Sequence, residues 1–233
     1  MDQKAMKEMA GKAAVEALVQ SGMKLGLGTG STAMPAVRHI GALMAQGRLK
    51  NILAVPTSLQ TAMECETWGI PLSTLNSAKI GGRLDLTIDG ADEVDRENRL
   101  VKGGGGALLL EKIAAYASDA YCIVADESKA VENLGLRFPL PLELVSEARI
   151  PVIRALEPYG AELVIREGVR KAGPVITEHG NLILDIRFSA PVDPSVLERE
   201  LNHIPGVVEN GFFTRLRPAV YISHADGRLE VRK

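Results

Sequence analysis

The segment Lys24–Thr32 (KLGLGTGST) joins a short apolar run to a glycine-rich loop that leads into a helical pattern. We predict a helix over Thr32–Ala45, in which Pro35 is tolerated because the first turn needs no donor at that position. A second apolar run, Ile52–Val55, precedes a second helical pattern over Ser58–Trp68. Strands that alternate with helices in this way predict βαβ units and a mainly parallel sheet.

The same alternation extends to both sides of this segment. Apolar residues recur at spacings of three and four from Met6 to Leu18, which predicts a preceding helix. Downstream we predict the strands Leu84–Ile88, Leu100–Lys102 and Ala120–Ala125, and a helix over Ala107–Ser118. These elements together predict an α/β fold with a Rossmann-like, mainly parallel sheet.

The order of elements changes after Gly135, where Pro139 and Pro141 mark a junction. The predicted elements there are strand Leu140–Val145, helix Ile150–Tyr159, strands Ala161–Arg166 and Leu182–Phe188, helix Ser195–Asn202 and strand Val207–Asn210. This β-α-β-β-α-β order is that of a ferredoxin-like α+β domain. A predicted hairpin over 219–231 rejoins the first sheet, so we expect residues 1–134 plus 210–233 to form the Rossmann-like catalytic domain and 135–209 to form an inserted small domain.

The composition describes a globular protein and favours a small, polar ligand. The 233 residues are 46% hydrophobic and 4% aromatic, and their formal net charge is −2. This charge argues against nucleic-acid binding through counterion release, and few aromatic rings are present for bases to stack on. Neither a signal-peptide core nor a run of about 18 apolar residues occurs, so we expect a cytoplasmic protein without a membrane partner. Cys65 and Cys122 match neither a disulfide framework nor a zinc site.

The loop Gly26–Thr32 has the chemistry of a phosphate site. Glycines let an anion approach the backbone, N–H groups at a helix start point towards it, and the hydroxyls of Ser31 and Thr32 add donors. The dinucleotide fingerprint fails because Ser31 stands where its last glycine is required, and the Walker A lysine is missing. A tight turn with a Ser/Thr cap is the structural alternative.

Carboxylates cluster in Asp89-Gly90-Ala91-Asp92-Glu93, directly after a predicted buried strand. At the carboxyl end of a parallel strand such residues project into the ligand-binding crevice of an open α/β sheet. A solvated Asx turn and a divalent-cation site are the two alternatives.

A third segment, Val101–Lys112, contains Lys102, four consecutive glycines and Glu111. Ordering each glycine costs up to about 1 kcal/mol relative to alanine, so a simple linker would rarely need four of them. A ligand that approaches this backbone closely would explain the run, with Lys102 as its cation and Glu111 as an acid–base group. The structural alternative for Glu111 is an acid on the surface of the helix. The four histidines fall outside all three segments, which argues against histidine-based hydrolysis.

The three segments, in this order and spacing, resemble the A-type ribose-5-phosphate isomerase family. The resemblance spans nearly the whole chain and also includes Ala125–Lys129, Phe138–Pro141 and Ile204–Gly211. It implies reversible interconversion of an aldose and a ketose, ribose 5-phosphate and ribulose 5-phosphate. It further implies that no metal or organic cofactor is needed and that the enzyme is a homodimer or a homotetramer.

The resemblance also implies roles for individual residues. Glu111 would be the general base and acid, Lys102 would stabilise the oxyanion together with the glycine N–H groups, and Asp89 would assist ring opening or move a hydroxyl proton. The phosphate would bind at the Gly30–Thr32 loop, which makes ligands of Lys7 and Lys129, two residues that base rates alone would place on the solvated surface. The implied substrate-binding set is Lys7, Thr29, Gly30, Ser31, Thr32, Asp89, Gly90, Ala91, Asp92, Lys102, Gly103, Gly104, Gly105 and Lys129.

Two other functions fit parts of the pattern. One is an isomerase or deaminase that acts on a different sugar phosphate. The other is a non-catalytic sugar-phosphate sensor, which in a transcriptional regulator would require a helix-turn-helix ahead of the sheet. Only about one predicted helix precedes Lys24, so the sequence favours the enzyme.

Overall fold

The computed structural model describes residues 1–233, which form two compact units. Unit 1 comprises Met1–Ala91, Leu110–Lys129 and Leu216–Lys233, and unit 2 comprises Asp92–Leu109 and Ala130–Arg215. The predicted boundaries differ from this division at residues 92–109, 130–134 and 210–215, which were assigned to the Rossmann-like domain and belong to unit 2. Two short strands within 92–109 form a sheet with Phe212–Phe213.

Thirteen strands and six α-helices make up the regular structure. The helices are α1 (Gln3–Leu18), α2 (Met34–Ala45), α3 (Leu59–Thr67), α4 (Leu108–Tyr116), α5 (Arg149–Leu156) and α6 (Pro194–Asn202). The strands are β1 (Lys24–Leu27), β2 (Leu53–Pro56), β3 (Leu84–Asp89), β4 (Glu93–Val94), β5 (Leu100–Val101), β6 (Ser118–Asp126), β7 (Leu140–Leu144), β8 (Glu162–Ile165), β9 (Leu182–Arg187), β10 (Val207–Asn210), β11 (Phe212–Phe213), β12 (Ala219–Ser223) and β13 (Leu229–Arg232). None of the helices combines the length and apolar character needed to cross a membrane.

Unit 1 contains a six-stranded sheet in the order β13-β12-β6-β3-β1-β2. Five strands run parallel, and β13 pairs antiparallel with β12 as the second strand of the predicted hairpin. The expected Rossmann-like, mainly parallel sheet is therefore confirmed.

The two faces of this sheet carry different side chains. Leu25 and Leu27 of β1 share one face with Leu86 and Ile88 of β3, and this face belongs to the apolar core with α1 and α2. The other face carries Thr87 of β3, and α4 lies against this face. The Thr87 hydroxyl is 3.3 Å from the carbonyl oxygen of Ala114 in α4. Thr87 and α4 thus lie on the face opposite to the apolar core of α1 and α2.

Unit 2 contains the ferredoxin-like module. Its four-stranded antiparallel sheet has the order β10-β7-β9-β8, so the first strand of the module, β7, lies between the fourth and the third. Its apolar core includes Val152 and Leu156 of α5 and Leu197 and Leu201 of α6. The predicted β-α-β-β-α-β unit is confirmed by this arrangement.

One strand prediction is wrong in its placement. The predicted strand Leu100–Lys102 was expected to continue the parallel alternation, but β5 lies between β4 and β11 in a separate three-stranded antiparallel sheet. Neither β4 nor β11 was predicted, because a two-residue strand is too short to show an alternating pattern. The consequence is that Lys102 follows a strand of unit 2.

A buried hydroxyl on β3 provides a test of this packing. The Thr87 hydroxyl lies 2.7 Å from that of Ser118, and Thr87 has no exposed surface. We expect Thr87→Val to lower the free energy of unfolding by about 1–3 kcal/mol, because it removes a buried hydrogen-bond partner at nearly constant volume.

Urea denaturation measures this change, and Thr67→Val on the exposed side of α3 serves as the control. The Thr67 hydroxyl also bonds a carbonyl, that of Met63, but in an exposed position. Equal losses for the two variants would contradict the packing role of Thr87.

Candidate active site

Polar residues collect at the carboxyl edge of the parallel sheet of unit 1. The loop Gly28–Thr32 follows β1, Thr57 and Ser58 follow β2, and β3 ends at Asp89. Since β1 lies between β2 and β3, these three strand ends are neighbours. This edge is where open α/β sheets bind their ligands.

Asp89, at the end of β3, has no exposed surface. One carboxylate oxygen, Oδ1, accepts the N–H of Thr29 at 3.2 Å and the N–H of Gly90 at 2.7 Å. Gly28 provides the space: a Cβ at that position would lie 1.9 Å from Asp89 Oδ1. The solvated Asx turn considered for this segment is therefore wrong for Asp89, which is enclosed and held by the backbone.

The glycine loop is fixed by hydroxyl groups from the next strand. Thr29 Oγ1 lies 2.7 Å from Ser58 Oγ and 2.8 Å from Thr57 Oγ1, and the Gly30 N–H donates to Gln60 Oε1 at 3.1 Å. These partners were not predicted from the sequence. The signal was present, because Thr57, Ser58, Gln60 and Thr61 follow an apolar strand in the same way as the loop itself does.

The start of α2 differs from the prediction. The helix begins at Met34, two residues later than expected, because Gly30 O accepts the N–H groups of Ala33 and Met34 in a turn. Thr32 is buried within this turn, while Ser31 is exposed. Ser31 is the loop hydroxyl that faces solvent.

The structure brings one of the two predicted lysines to the loop. Lys7 of α1 donates from Nζ to Ser31 Oγ at 2.9 Å. Lys129 is half-buried in a single 3-10 turn after β6. No hydrogen bond or ion pair joins Lys129 to the loop.

Glu111 and Asp89 both affect the pKa of one buried phenol, that of Tyr121. Glu111 lies on α4, one turn before Ala114, and is 5% exposed. Tyr121 of β6 pairs in register with Thr87 on the face that α4 covers. Burial raises the pKa of the Tyr121 phenol, and the negative charges of Asp89 and Glu111 raise it further. The two predicted catalytic acids thus both affect the pKa of Tyr121, a residue that was not predicted from the sequence.

In unit 2 the structure brings Asp92 to the second glycine run, which is Gly103–Gly106. The Gly104 N–H donates to Asp92 Oδ2 at 2.7 Å. Lys102 is 3% exposed, and its ammonium lies 5.6 Å from the centre of the Phe213 ring. Gly103 has a φ of 103°, a value that favours glycine. Gly103 is buried, whereas Gly104 and Gly105 are exposed.

Glu93 differs from the other acids of its segment. Its carboxylate accepts three backbone N–H groups, those of Gly135 at 2.6 Å, Phe138 at 2.6 Å and Arg137 at 3.1 Å. Burial raises its pKa against the opposing effect of these hydrogen bonds. Glu93 therefore anchors the chain at residues 135–138.

Groups suited to metal binding are not assembled here. The structure contains no cluster of three or more His, Cys, Asp or Glu side chains that could hold a metal ion. Cys65 and Cys122 are free, buried thiols, and burial raises the pKa of Cys65 to about 11.

A Rossmann-like sheet with buried acids and a hydroxyl-rich loop at its carboxyl edge is the architecture of an α/β enzyme for small polar molecules. Comparison with known families gives the particular class. The model of the ribose 5-phosphate isomerase A (phosphoriboisomerase A) family matches residues 53–227. The chain belongs to this family and is an isomerase.

Full-length relatives agree with this assignment. The ribose-5-phosphate isomerase A of Treponema denticola is 52% identical over 237 residues, which cover 99% of both chains. The solved ribose 5-phosphate isomerase A of Methanocaldococcus jannaschii is 42% identical, with a TM-score of 0.92 over 100% of both chains. A D-ribose-5-phosphate isomerase solved in complex with phospho-erythronic acid is 37% identical, with a TM-score of 0.94 over 100% of both chains.

The space at Gly28 can be tested directly. We expect Gly28→Ala to lower the free energy of unfolding by about 1–3 kcal/mol, because the added methyl group would displace a buried carboxylate that two N–H groups hold. We expect isomerase activity to fall with it, since Asp89 would be displaced. Urea denaturation and turnover measure the two effects.

Gly90→Ala is the matched control in the same segment. A Cβ there would meet Thr32 Cβ at 3.2 Å, a contact that a small shift relieves. If Gly28→Ala were as stable as Gly90→Ala, the close approach of Gly28 to Asp89 would not matter.

Proposed function

We propose that the protein interconverts D-ribose 5-phosphate and D-ribulose 5-phosphate. The observation that carries the proposal is the match, along 99% of the chain, to a relative that bears the name of this activity. The buried acids at the carboxyl edge of unit 1 support it, because aldose–ketose conversion needs a positioned base and no oxidant.

Glu111 is the general base and acid of this proposal. As a carboxylate it takes the proton from C2 of the open-chain aldose, the electron pair forms the C1=C2 double bond, and O1 becomes the enediolate oxygen. The protonated Glu111 then returns a proton to C1, while the O2 proton moves to O1 and C2 becomes the carbonyl carbon. One carboxylate thus performs both transfers, and the reaction is redox-neutral.

The phosphate binds at the Gly30–Thr32 loop. The exposed Ser31 hydroxyl and the Lys7 ammonium, 2.9 Å apart, support this placement. Lys129 is the second cation of the proposal on the strength of the resemblance alone. Binding the phosphate away from the reacting carbons orients C1 and C2 without itself taking part in the chemistry.

Asp89 and Asp92 serve the sugar hydroxyls, and Asp89 also assists ring opening or moves the hydroxyl proton. Lys102 stabilises the developing oxyanion. The Gly104 N–H already donates to Asp92, so we assign the backbone share of this role to Gly103 and Gly105. We also propose a homodimer, which rests on the resemblance.

The ligand of one relative is informative about the intermediate. Phospho-erythronic acid, present in a structure with the same fold, carries a planar carboxylate at one end and a phosphate at the other. An enediolate phosphate is likewise planar and anionic at its reacting end. We therefore expect this acid to bind the present protein as an analogue of the intermediate.

Replacing the base tests the mechanism. We expect Glu111→Gln to lower kcat by about a hundredfold or more, the scale of general base catalysis, while KM changes little. The amide keeps the shape of the side chain but cannot accept the C2 proton. Steady-state kinetics on ribose 5-phosphate measures this effect.

Glu66→Gln, an exposed acid on α3, is the control and should leave kcat unchanged. Near-normal turnover of Glu111→Gln would remove Glu111 from the catalytic role.

A substrate panel tests the function itself. We expect turnover of ribose 5-phosphate to exceed that of other pentose and hexose phosphates and of unphosphorylated ribose. Preference for another sugar phosphate would favour the alternative isomerase or deaminase. Binding without turnover of any compound would favour the non-catalytic sensor.

A further inference from the structure

Arg166, the residue after β8, contacts the second glycine run within unit 2. Its Nη1 donates to the Gly103 carbonyl oxygen at 2.9 Å and to the Gly104 carbonyl oxygen at 3.0 Å. The side chain is 16% exposed. No role was predicted for this arginine from the sequence, because it lies about sixty residues from the glycines it contacts.

Asp185 of the neighbouring strand β9 fixes the orientation of the guanidinium. Arg166 Nε donates to Asp185 Oδ2 at 2.8 Å, and Nη2 donates to Oδ1 at 2.5 Å. The carboxylate is 18% exposed, so this two-pronged pair is largely shielded from water. A planar guanidinium held at two nitrogens presents its remaining donors in one fixed direction.

The arginine thereby sets the direction of two peptide planes. In a trans peptide the carbonyl of one residue and the N–H of the next point to opposite sides. The Gly103 carbonyl faces Arg166, and the N–H of the same plane, that of Gly104, donates to Asp92 on the other side. The Gly104 carbonyl also faces Arg166, so the Gly105 N–H points away from the guanidinium, at an exposed residue.

We propose that Arg166 is a positioning residue of the isomerase, which orients the Gly104–Gly105 peptide so that the Gly105 N–H is presented to the anionic intermediate. Asp185 is its support. This role rests on the proposed function, because it assigns Gly105 to the oxyanion. A donor that is already oriented costs no reorganisation when charge develops on the substrate, so it lowers the barrier more than it strengthens substrate binding.

Arg166→Lys is the test variant. A single ammonium cannot bind the carboxylate and both carbonyls at once in the planar geometry of a guanidinium. We expect kcat to fall about tenfold or more while KM stays within about twofold. The inhibition constant of phospho-erythronic acid should rise by a similar factor. In the substrate-free protein, the Gly104 amide should exchange with solvent at least about tenfold faster, as expected when a loop loses a hydrogen bond to a charged group.

Arg187→Lys on β9 is the matched control. Arg187 is exposed and pairs with exposed Glu162 at 3.6 Å, so the same substitution there should leave kcat, inhibition and amide exchange unchanged. If Arg166→Lys folds poorly, Asp185→Asn removes only the charge of the support and should show smaller losses of the same kind.

The outcomes separate this inference from the proposed function. A wild-type protein that fails to convert ribose 5-phosphate overturns the proposed function. Amide exchange at Gly104 would still report whether Arg166 holds the Gly103 and Gly104 carbonyls. An active wild type whose Arg166→Lys variant matches Arg187→Lys in kcat and inhibition overturns the positioning role. A fall in kcat that merely equals the loss of folded protein, measured by circular dichroism, overturns it as well.

Discussion

The burial of Asp89 is the constraint around which the carboxyl edge of unit 1 is arranged. A carboxylate without exposed surface is costly unless hydrogen bonds replace its water. Two N–H groups do so, and one of them belongs to Thr29 in the loop after β1. The Thr29 hydroxyl is in turn held by Thr57 and Ser58 after β2. Three neighbouring strand ends are thus coupled through one buried charge.

The two glycine-rich segments meet different physical needs. At Gly28 the need is space, because a side chain would overlap the Asp89 carboxylate. At Gly103 and Gly104 the need is direction: the backbone turns both carbonyls towards Arg166 and one N–H towards Asp92. Composition reveals an excess of glycine, but only the neighbours of each glycine show which need it meets.

The sequence predicted most of the architecture and part of the site. Elements in which the apolar residues repeat along the chain, such as β3 and α6, begin and end within one or two residues of their predicted bounds. The two-residue strands β4 and β11 escaped prediction, and with them the placement of β5 in a separate antiparallel sheet. The pairing of Arg166 with Gly103 also escaped, since a contact across such a separation depends on strand register, which no local pattern encodes. Segments with local chemistry were found, whereas their supports were missed.

Three acids within five residues illustrate why a cluster in sequence is not a cluster in space. Asp89 binds backbone N–H groups of unit 1, Asp92 binds the N–H of Gly104, and Glu93 binds three N–H groups of residues 135–138. Each carboxylate has its own donors, and the chain leaves β3 after Asp89 and enters β4 only at Glu93. A shared cation would have to bind carboxylates that already accept these N–H groups. The chemistry of such a segment is therefore decided by the backbone around each acid, and the acids differ in role because their donors differ.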